Sequence, residues 1–422
     1  MRILHAARNI ADHPAALVRA FRRMGHEAEV WEYGTSPFAF PVDRTIVVPD
    51  RDPRVLWQTF LEAIERFDIL HFHFARSLFP NHWGGMPPFW DLPIYRILGK
   101  RVFFTFHGSD VRIRRIHEQI NPRSYYATSD IEADDDRTEK AIEVIRTYAD
   151  RMFVVSLDYL PFVPEAEFLP RVIDLSLWPP QPPAQRERPL VLHVPSRRGT
   201  KGTESVIEGM RRLQEEGVAV DFRLLEGVPH EEARAAIREA DIVVDNLITG
   251  DYETVSLEAM AAARVAVADI QRAVAAALPE APVFRAETAD FVERMRALIG
   301  DVELRRSLAA RGRPYVERLH DAPVIAERLL GFYSEEPRPV PIRAFPDWLS
   351  LEDRRKLERL EQRISRLEQD LARGRRREEG LRRQLGMGEL GEPGPGWKDL
   401  FPQPVRLFLR RQRARLRDLR SS

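Results

Sequence analysis

Short apolar runs alternate with stretches in which apolar residues recur every three or four positions, and the alternation persists over most of the first 320 residues. The runs read as strands and the stretches as amphipathic helices, so the pattern predicts βαβ units and parallel sheets. Strands are expected at 2–6, 27–32, 69–73, 101–106 and 152–155, with helices at 14–24 and 54–66. The segment Trp178-Pro179-Pro180-Gln181-Pro182-Pro183 then breaks the pattern, and proline runs form extended, semi-rigid spacers. Beyond it the alternation restarts. Strands are expected at 190–194, 221–225, 242–245 and 265–268, and helices at 204–216, 230–239, 255–263, 289–299 and 302–311. The expected α/β architecture is therefore two doubly wound, Rossmann-like domains, 1–178 and 189–320, joined by a linker at 179–188. Such sheets bind ligands beyond their strand C-termini, here in a cleft between the two halves.

From residue 349 the pattern changes kind. Leu357, Leu360, Ile364, Leu367 and Leu371 alternate spacings of three and four, which predicts a coiled coil over 349–385, weakened at Gly374 and Glu378. Residues 386–396 form a glycine-rich hinge. The last segment sets Lys398, Arg406, Arg410, Arg411, Arg413, Arg415, Arg417 and Arg420 against Asp399 and Asp418, interleaved with Phe401, Leu407, Phe408 and Leu409. This hinge and basic amphipathic tail, 386–422, suits peripheral contact with an anionic membrane. The competing readings are a nucleic-acid contact, which the apolar interleaving disfavours, and a disordered solubilising tail.

Composition narrows the chemistry. Basic and acidic residues balance at 65 each, so the molecule as a whole is no polyanion binder, and the absence of cysteine excludes thiolate chemistry and sulfur-ligated metals. The chain opens on an apolar strand and holds no run of about 18 apolar residues. A cytoplasmic protein is expected, peripheral to the inner membrane face if the tail engages it.

Four polar constellations fall at strand ends. After the strand at 190–194, Arg197, Arg198 and Lys201 occupy a short turn that leads into a helix, the geometry of an anion site, although a solvated basic loop has the same sequence. His107, Gly108 and Asp110 follow the strand at 101–106, where His107 can offer a donor to a sugar or phosphoryl oxygen. His71 and His73 share one face of their strand and read as polar contacts lining the cleft or as metal ligands, the latter without a third ligand at suitable spacing. Glu258 lies near the start of a helix preceded by the polar loop 250–254, placed to accept hydrogen bonds from ribose hydroxyls; a plain surface acid is the bland alternative.

Together these motifs resemble the retaining GT-B glycosyltransferases of the group 1, family 4-like type. The family's T-x-H-G-x-D strand end is matched by Thr105, His107, Gly108 and Asp110, and its D-I-x-H-x-H strand by Asp68, Ile69, His71 and His73. Its R-x-x-K-G turn is matched by Arg198, Lys201, Gly202 and Thr203, and its E-A-M-A helix by Glu258, Ala259, Met260 and Ala261. The family's L-P-N-G-V-D segment appears as Leu169-Pro170-Arg171-Val172-Ile173-Asp174. Two departures stand out. Gly250 replaces the motif's first glutamate, and 8–14 lacks the glycine-rich loop.

The resemblance implies a metal-independent transfer, with retention, of a sugar from a nucleotide-diphosphate donor to a glycan, lipid-linked or small-molecule acceptor, in a setting such as cell-envelope polysaccharide synthesis. No cofactor is expected. The nucleotide sugar would meet Arg198, Lys201, Gly202, Glu253, Thr254, Val255 and Glu258, with His107, Arg198 and Lys201 catalytic. The acceptor side would present His73, His107, Gly108 and Asp110, and a C-terminal helix at 321–340 would cross back to the first domain. The alternatives are an epimerase or phosphorylase of the same fold, and a catalytically degenerate binding module on a self-associating coiled coil.

Overall fold

The structure, a computed structural model, describes residues 1–340 except 37, 49–51, 80–87, 128, 130 and 184–185, and beyond 340 only residue 373. The expected coiled coil (349–385) and the hinge and tail (386–422) thus lie outside the described residues. Two compact units emerge. One comprises Met1–Leu78 and Arg101–Arg338 and holds both sheets; the other comprises Phe79–Lys100 and Pro339–Ser422 and includes the helix Leu92–Ile97.

The first sheet is parallel and seven-stranded, built from β1 (Arg2–Ala6), β2 (Glu27–Tyr33), β3 (Arg44–Ile46), β4 (Ile69–His73), β5 (Arg101–Phe106), β6 (Arg151–Val154) and β7 (Glu167–Phe168). Its order is β3-β2-β1-β4-β5-β6-β7. Every residue of β4 is buried, as a central parallel strand covered on both faces requires. The second sheet is five-stranded, with β8 (Leu190–His193), β9 (Asp221–Leu224), β10 (Ile242–Asn246), β11 (Val265–Ala268) and β12 (Val283–Arg285) in the order β12-β11-β10-β8-β9. The strand order reverses between β1 and β4 and again between β8 and β10, so each sheet opens a crevice at those C-terminal ends.

Helices cover both faces. In the first sheet Ile3, Phe21, Phe103 and Phe153 form one core with Ala322, Ile325, Leu329 and Tyr333 from the C-terminal helix Ala322–Ser334. In the second, Val191, Met210, Val244 and Phe284 pack one face, and Leu192, Ile237, Val243 and Met260 the other. The chain crosses between the sheets twice, side by side: Ile173 N–H donates to His320 O at 2.9 Å and Ala322 N–H to Ile173 O at 2.9 Å. Ile173, Leu175 and Trp178 already belong to the second core. The crossing therefore precedes the proline run, because the large apolar Trp178 is drawn under the second sheet.

Several elements differ from the sequence reading. The short edge strands β3, β7 and β12 have too few residues to show a period. The helix Asp135–Tyr148, capped by Asp134 on the Arg137 N–H at 3.0 Å, is not among the expected elements, although Ile142, Ile145 and Tyr148 recur every three residues. The helix Val302–Leu319 runs through Pro314 instead of ending at 311, because Tyr315 and Val316 beyond it are anchored in the second core. No helix among the described residues is long and apolar enough to cross a membrane.

Candidate active site

His107, the first residue after β5, is held on three sides. Asp110 accepts from the backbone N–H of His107 (3.0 Å) and of Gly108 (2.7 Å), Tyr159 Oη donates to His107 O (2.9 Å), and His107 Nε2 meets His73 Nδ1 at 3.0 Å. Burial pushes the His107 imidazole down to about 3, with the Arg171 charge adding to the effect, so the ring is neutral at physiological pH. Asp110 is a clamp on the turn and not an acid lining the cleft; burial drives it up to about 6 against the pull of the two N–H groups. His73 lies beneath His107, 1 % exposed, and meets His5 at 2.8 Å on its other nitrogen. His5, His73 and His107 are thus linked ring nitrogen to ring nitrogen. A further histidine, His13, opens the helix His13–Arg23. Its ring stands 5.7 Å from that of His107 and its Nε2 reaches Thr254 Oγ1 across the crevice at 3.1 Å.

On the second sheet, β8 ends in His193, whose ring is committed to Val244 O and Thr203 Oγ1. A single helical turn, Arg198–Lys201, and Gly202 at φ +70° then lead into the helix Thr203–Glu215. The two cations expected to share a phosphate have separate partners. Arg198 is exposed and paired with Glu226 and Glu204. Lys201 is 5 % exposed, with its ammonium on Asp245 Oδ1 at 2.7 Å and on Glu253. Burial opposes the Lys201 charge, but the two carboxylates outweigh it and raise its pKa. Asp245 Oδ2 in turn accepts from the Glu253 N–H (2.8 Å), the Ser256 N–H (3.2 Å) and Ser256 Oγ (2.8 Å), which fixes the start of the helix Thr254–Ala261. Glu253 and Thr254 are thereby brought into the crevice, Glu253 on Lys201 and Thr254 on His13, with Val255 half-buried beside them.

Arg171 joins the two sides. The residue that departs from the family's asparagine sends its guanidinium to Asp251 Oδ2 (3.1 Å), Tyr252 O (3.0 Å) and Tyr159 Oη (3.2 Å), and lies 3.9 Å from Glu253. Ser156, after β6, bonds Asp251 as well as Asp158, and Asp158 pairs with the buried Arg112. Burial lifts Asp251 to about 6 although Arg171 pulls the other way. The sequence reading gave no role to Arg171 or His13. The arginine in an otherwise familiar motif was the available signal for the first.

Glu258 is buried in the second turn of its helix, with Oε1 bonded to His230 Nε2 at 2.5 Å. Burial opposes protonation of His230, but Glu258 outweighs it and raises the imidazole above its ordinary 6.5. A raised histidine stabilises the fold fully below its unfolded pKa, and that contribution fades as pH climbs through the folded value. His230→Gln is accordingly expected to lose most stability below pH 6.5 and progressively less above it, read as melting temperatures across that range. A pH-independent deficit would show that the ion pair is not formed.

Gly250 has φ +86°, and a Cβ there would stand 2.5 Å from Gln271 Nε2. The motif's first glutamate cannot simply be restored, because both the backbone and the Gln271 side chain are arranged for glycine. Gly250→Ala is expected to cost about 1–2 kcal/mol from the left-handed backbone alone, even with Gln271→Ala making room. Denaturation midpoints equal to the parent protein would contradict this.

No protein-family model matches the sequence, and no curated protein matches it. Solved structures do match in fold. The sucrose-phosphate synthase of Thermosynechococcus elongatus is similar at 16% identity and TM-score 0.53 over 78% of this chain and 97% of its own. HepE of Anabaena, solved in complex with UDP, is similar at 12% identity and TM-score 0.54 over 79% and 100%. WaaG, a glycosyltransferase involved in lipopolysaccharide biosynthesis, is similar at 14% identity and TM-score 0.50 over 80% and 100%. At these identities the likeness establishes architecture, and the chain has the two-sheet GT-B fold that these structures share.

Proposed function

We propose that the protein transfers a sugar from a nucleoside-diphosphate donor to an acceptor hydroxyl, with the diphosphate at the C-terminal ends of β8 and β10. Lys201 is the observation that carries this reading. Its ammonium sits at the C-terminal ends of the central strands between a carboxylate that is fully buried, Asp245, and one that is partly exposed, Glu253. Asp245 is fixed by three further atoms of the fold's own making, whereas the partly exposed Glu253 can swing out and yield its place to a phosphate. The Lys201–Asp245 pair then presents one ammonium proton donor to the incoming anion.

As the bond between the anomeric carbon and the diphosphate breaks, negative charge grows on the leaving group. A pre-placed ammonium stabilises that state more than the ground state. A new glycosidic bond forms to the acceptor oxygen, whose proton passes to the leaving phosphate; retention of configuration follows from the family resemblance. Glu258, steadied by His230, would receive the ribose hydroxyls, and His107 and His13 would face the sugar from the first sheet. Arg198 reaches the phosphates only by leaving Glu226 and Glu204, so its part is secondary to that of Lys201. The protein supplies the cation itself, and turnover in EDTA is part of the proposal. The acceptor class remains a glycan, a lipid-linked sugar or a small molecule.

The test is release of nucleoside diphosphate by the purified full-length chain from a panel of UDP-, GDP-, ADP- and dTDP-sugars, with EDTA present. Release from one donor, lost in Lys201→Arg, supports the transferase. Binding of a donor without release makes the protein a degenerate binding module. No binding overturns the reading.

A further inference from the structure

The first sheet contains a line of hydrogen-bonded side chains that the transfer chemistry above leaves unused. The registers β1 to β4 and β4 to β5 place His5 opposite His71 and His73 opposite Thr105. Four buried side chains, His5, His71, His73 and Thr105, thereby share one region of the sheet, and the C-terminal helix adds Tyr333. Contacts run Thr105 Oγ1 to His71 Nε2 (2.7 Å), His71 Nδ1 to Tyr333 Oη (2.5 Å) and Tyr333 Oη to His5 Nε2 (3.5 Å, the longest link). They continue from His5 Nδ1 to His73 Nε2 (2.8 Å) and from His73 Nδ1 to His107 Nε2 (3.0 Å). His5, His71 and His73 each use both ring nitrogens and His107 uses Nε2, and desolvation lowers the pKa of every one of them, so each ring carries a single proton.

In such a line the direction of one hydrogen bond fixes all the others. Thr105 is the terminus that sets it. Among the described residues its hydroxyl has one partner, His71 Nε2, and a buried hydroxyl proton needs an acceptor. Thr105 therefore donates to His71, whose Nδ1–H donates to Tyr333. The Tyr333 hydroxyl donates to His5 Nε2, His5 Nδ1–H to His73, and His73 Nδ1–H to His107 Nε2. The reverse direction would strand the Thr105 proton.

We infer that this relay, running from Thr105 through His71, Tyr333, His5 and His73, locks His107 as the Nδ1–H tautomer and so makes it a hydrogen-bond donor, not a base, toward the crevice. Nδ1 is the ring's remaining nitrogen and makes no hydrogen bond among the described residues. Thr105, His71, Tyr333, His5 and His73 are positioning residues in this account. The inference rests on the proposed transferase only for what His107 would donate to, an oxygen of the donor sugar or acceptor.

The test is a long-range nitrogen–proton correlation spectrum of full-length protein labelled with ¹⁵N in its histidine rings, assigned with His107→Gln, at neutral pH and without ligand. The expected spectrum shows His107 protonated at Nδ1 and bare at Nε2. Tyr333→Phe cuts the relay, so both tautomers of His107 should appear. His193, fixed by Val244 O and Thr203 Oγ1, should keep its single tautomer and serves as a control for folding. A wild-type His107 protonated at Nε2 overturns the inference even if Tyr333→Phe fails to fold. An unchanged His107 tautomer in a folded Tyr333→Phe overturns the relay. Neither result depends on which donor is used, so the relay can fail while the transferase reading stands.

Discussion

Lys201→Ala is expected to lose diphosphate binding and also about 3–5 kcal/mol of folding stability, the usual consequence of removing one partner from a buried ion pair. Read as a cation in a solvated turn, Lys201 would be dispensable to the fold. In the structure its side chain is 7 % exposed and Asp245 beside it is fully buried, so alanine leaves Asp245 with no counter-charge and Glu253 with only Arg171, at 3.9 Å. The double variant Lys201→Ala with Asp245→Asn removes the buried charge and should recover part of the loss. Denaturation midpoints of the parent, single and double variants check both statements. A single variant as stable as the parent would show that the ammonium is not held as described.

Arg171→Leu is the second large effect, with an expected loss of about 3–5 kcal/mol for the same physical reason. It differs in its pH dependence. Asp251 is already lifted to about 6 by burial while Arg171 restrains it. Without the guanidinium it rises further. A carboxyl group whose folded pKa lies above its unfolded value favours folding less as pH climbs between the two. Parent and variant lose the Asp251 contribution alike up to about pH 6, so the deficit of Arg171→Leu relative to the parent should be smallest below that value and grow as pH rises beyond it. Thermal melts along that range test the sign, and a deficit that shrinks with rising pH would contradict it.

The parallel sheets were legible because their central strands are short apolar runs; β1, β4 and β5 fall at the expected residues. The histidine, lysine and glutamate positions were legible as strand-end and helix-start features. Their partners were not, because hydrogen bonds in a doubly wound sheet join residues far apart in sequence. Lys201 and Asp245 are separated by 44 positions and His71 and Tyr333 by 262. The role of Asp110 as a clamp on the His107 turn depends on backbone N–H directions that no spacing encodes. Gly250 looked like a missing acid in the sequence, and its positive φ and the Gln271 side chain over it give the physical reason for glycine there.

The central claim is that a nucleoside diphosphate takes the place of Glu253 on Lys201. Calorimetric titration of UDP, GDP and ADP in EDTA into the parent protein and Glu253→Gln tests it most directly. One nucleotide should bind with 1:1 stoichiometry, and more tightly in Glu253→Gln, where the competing carboxylate is gone. No binding by either protein, or weaker binding in the variant, would contradict the account.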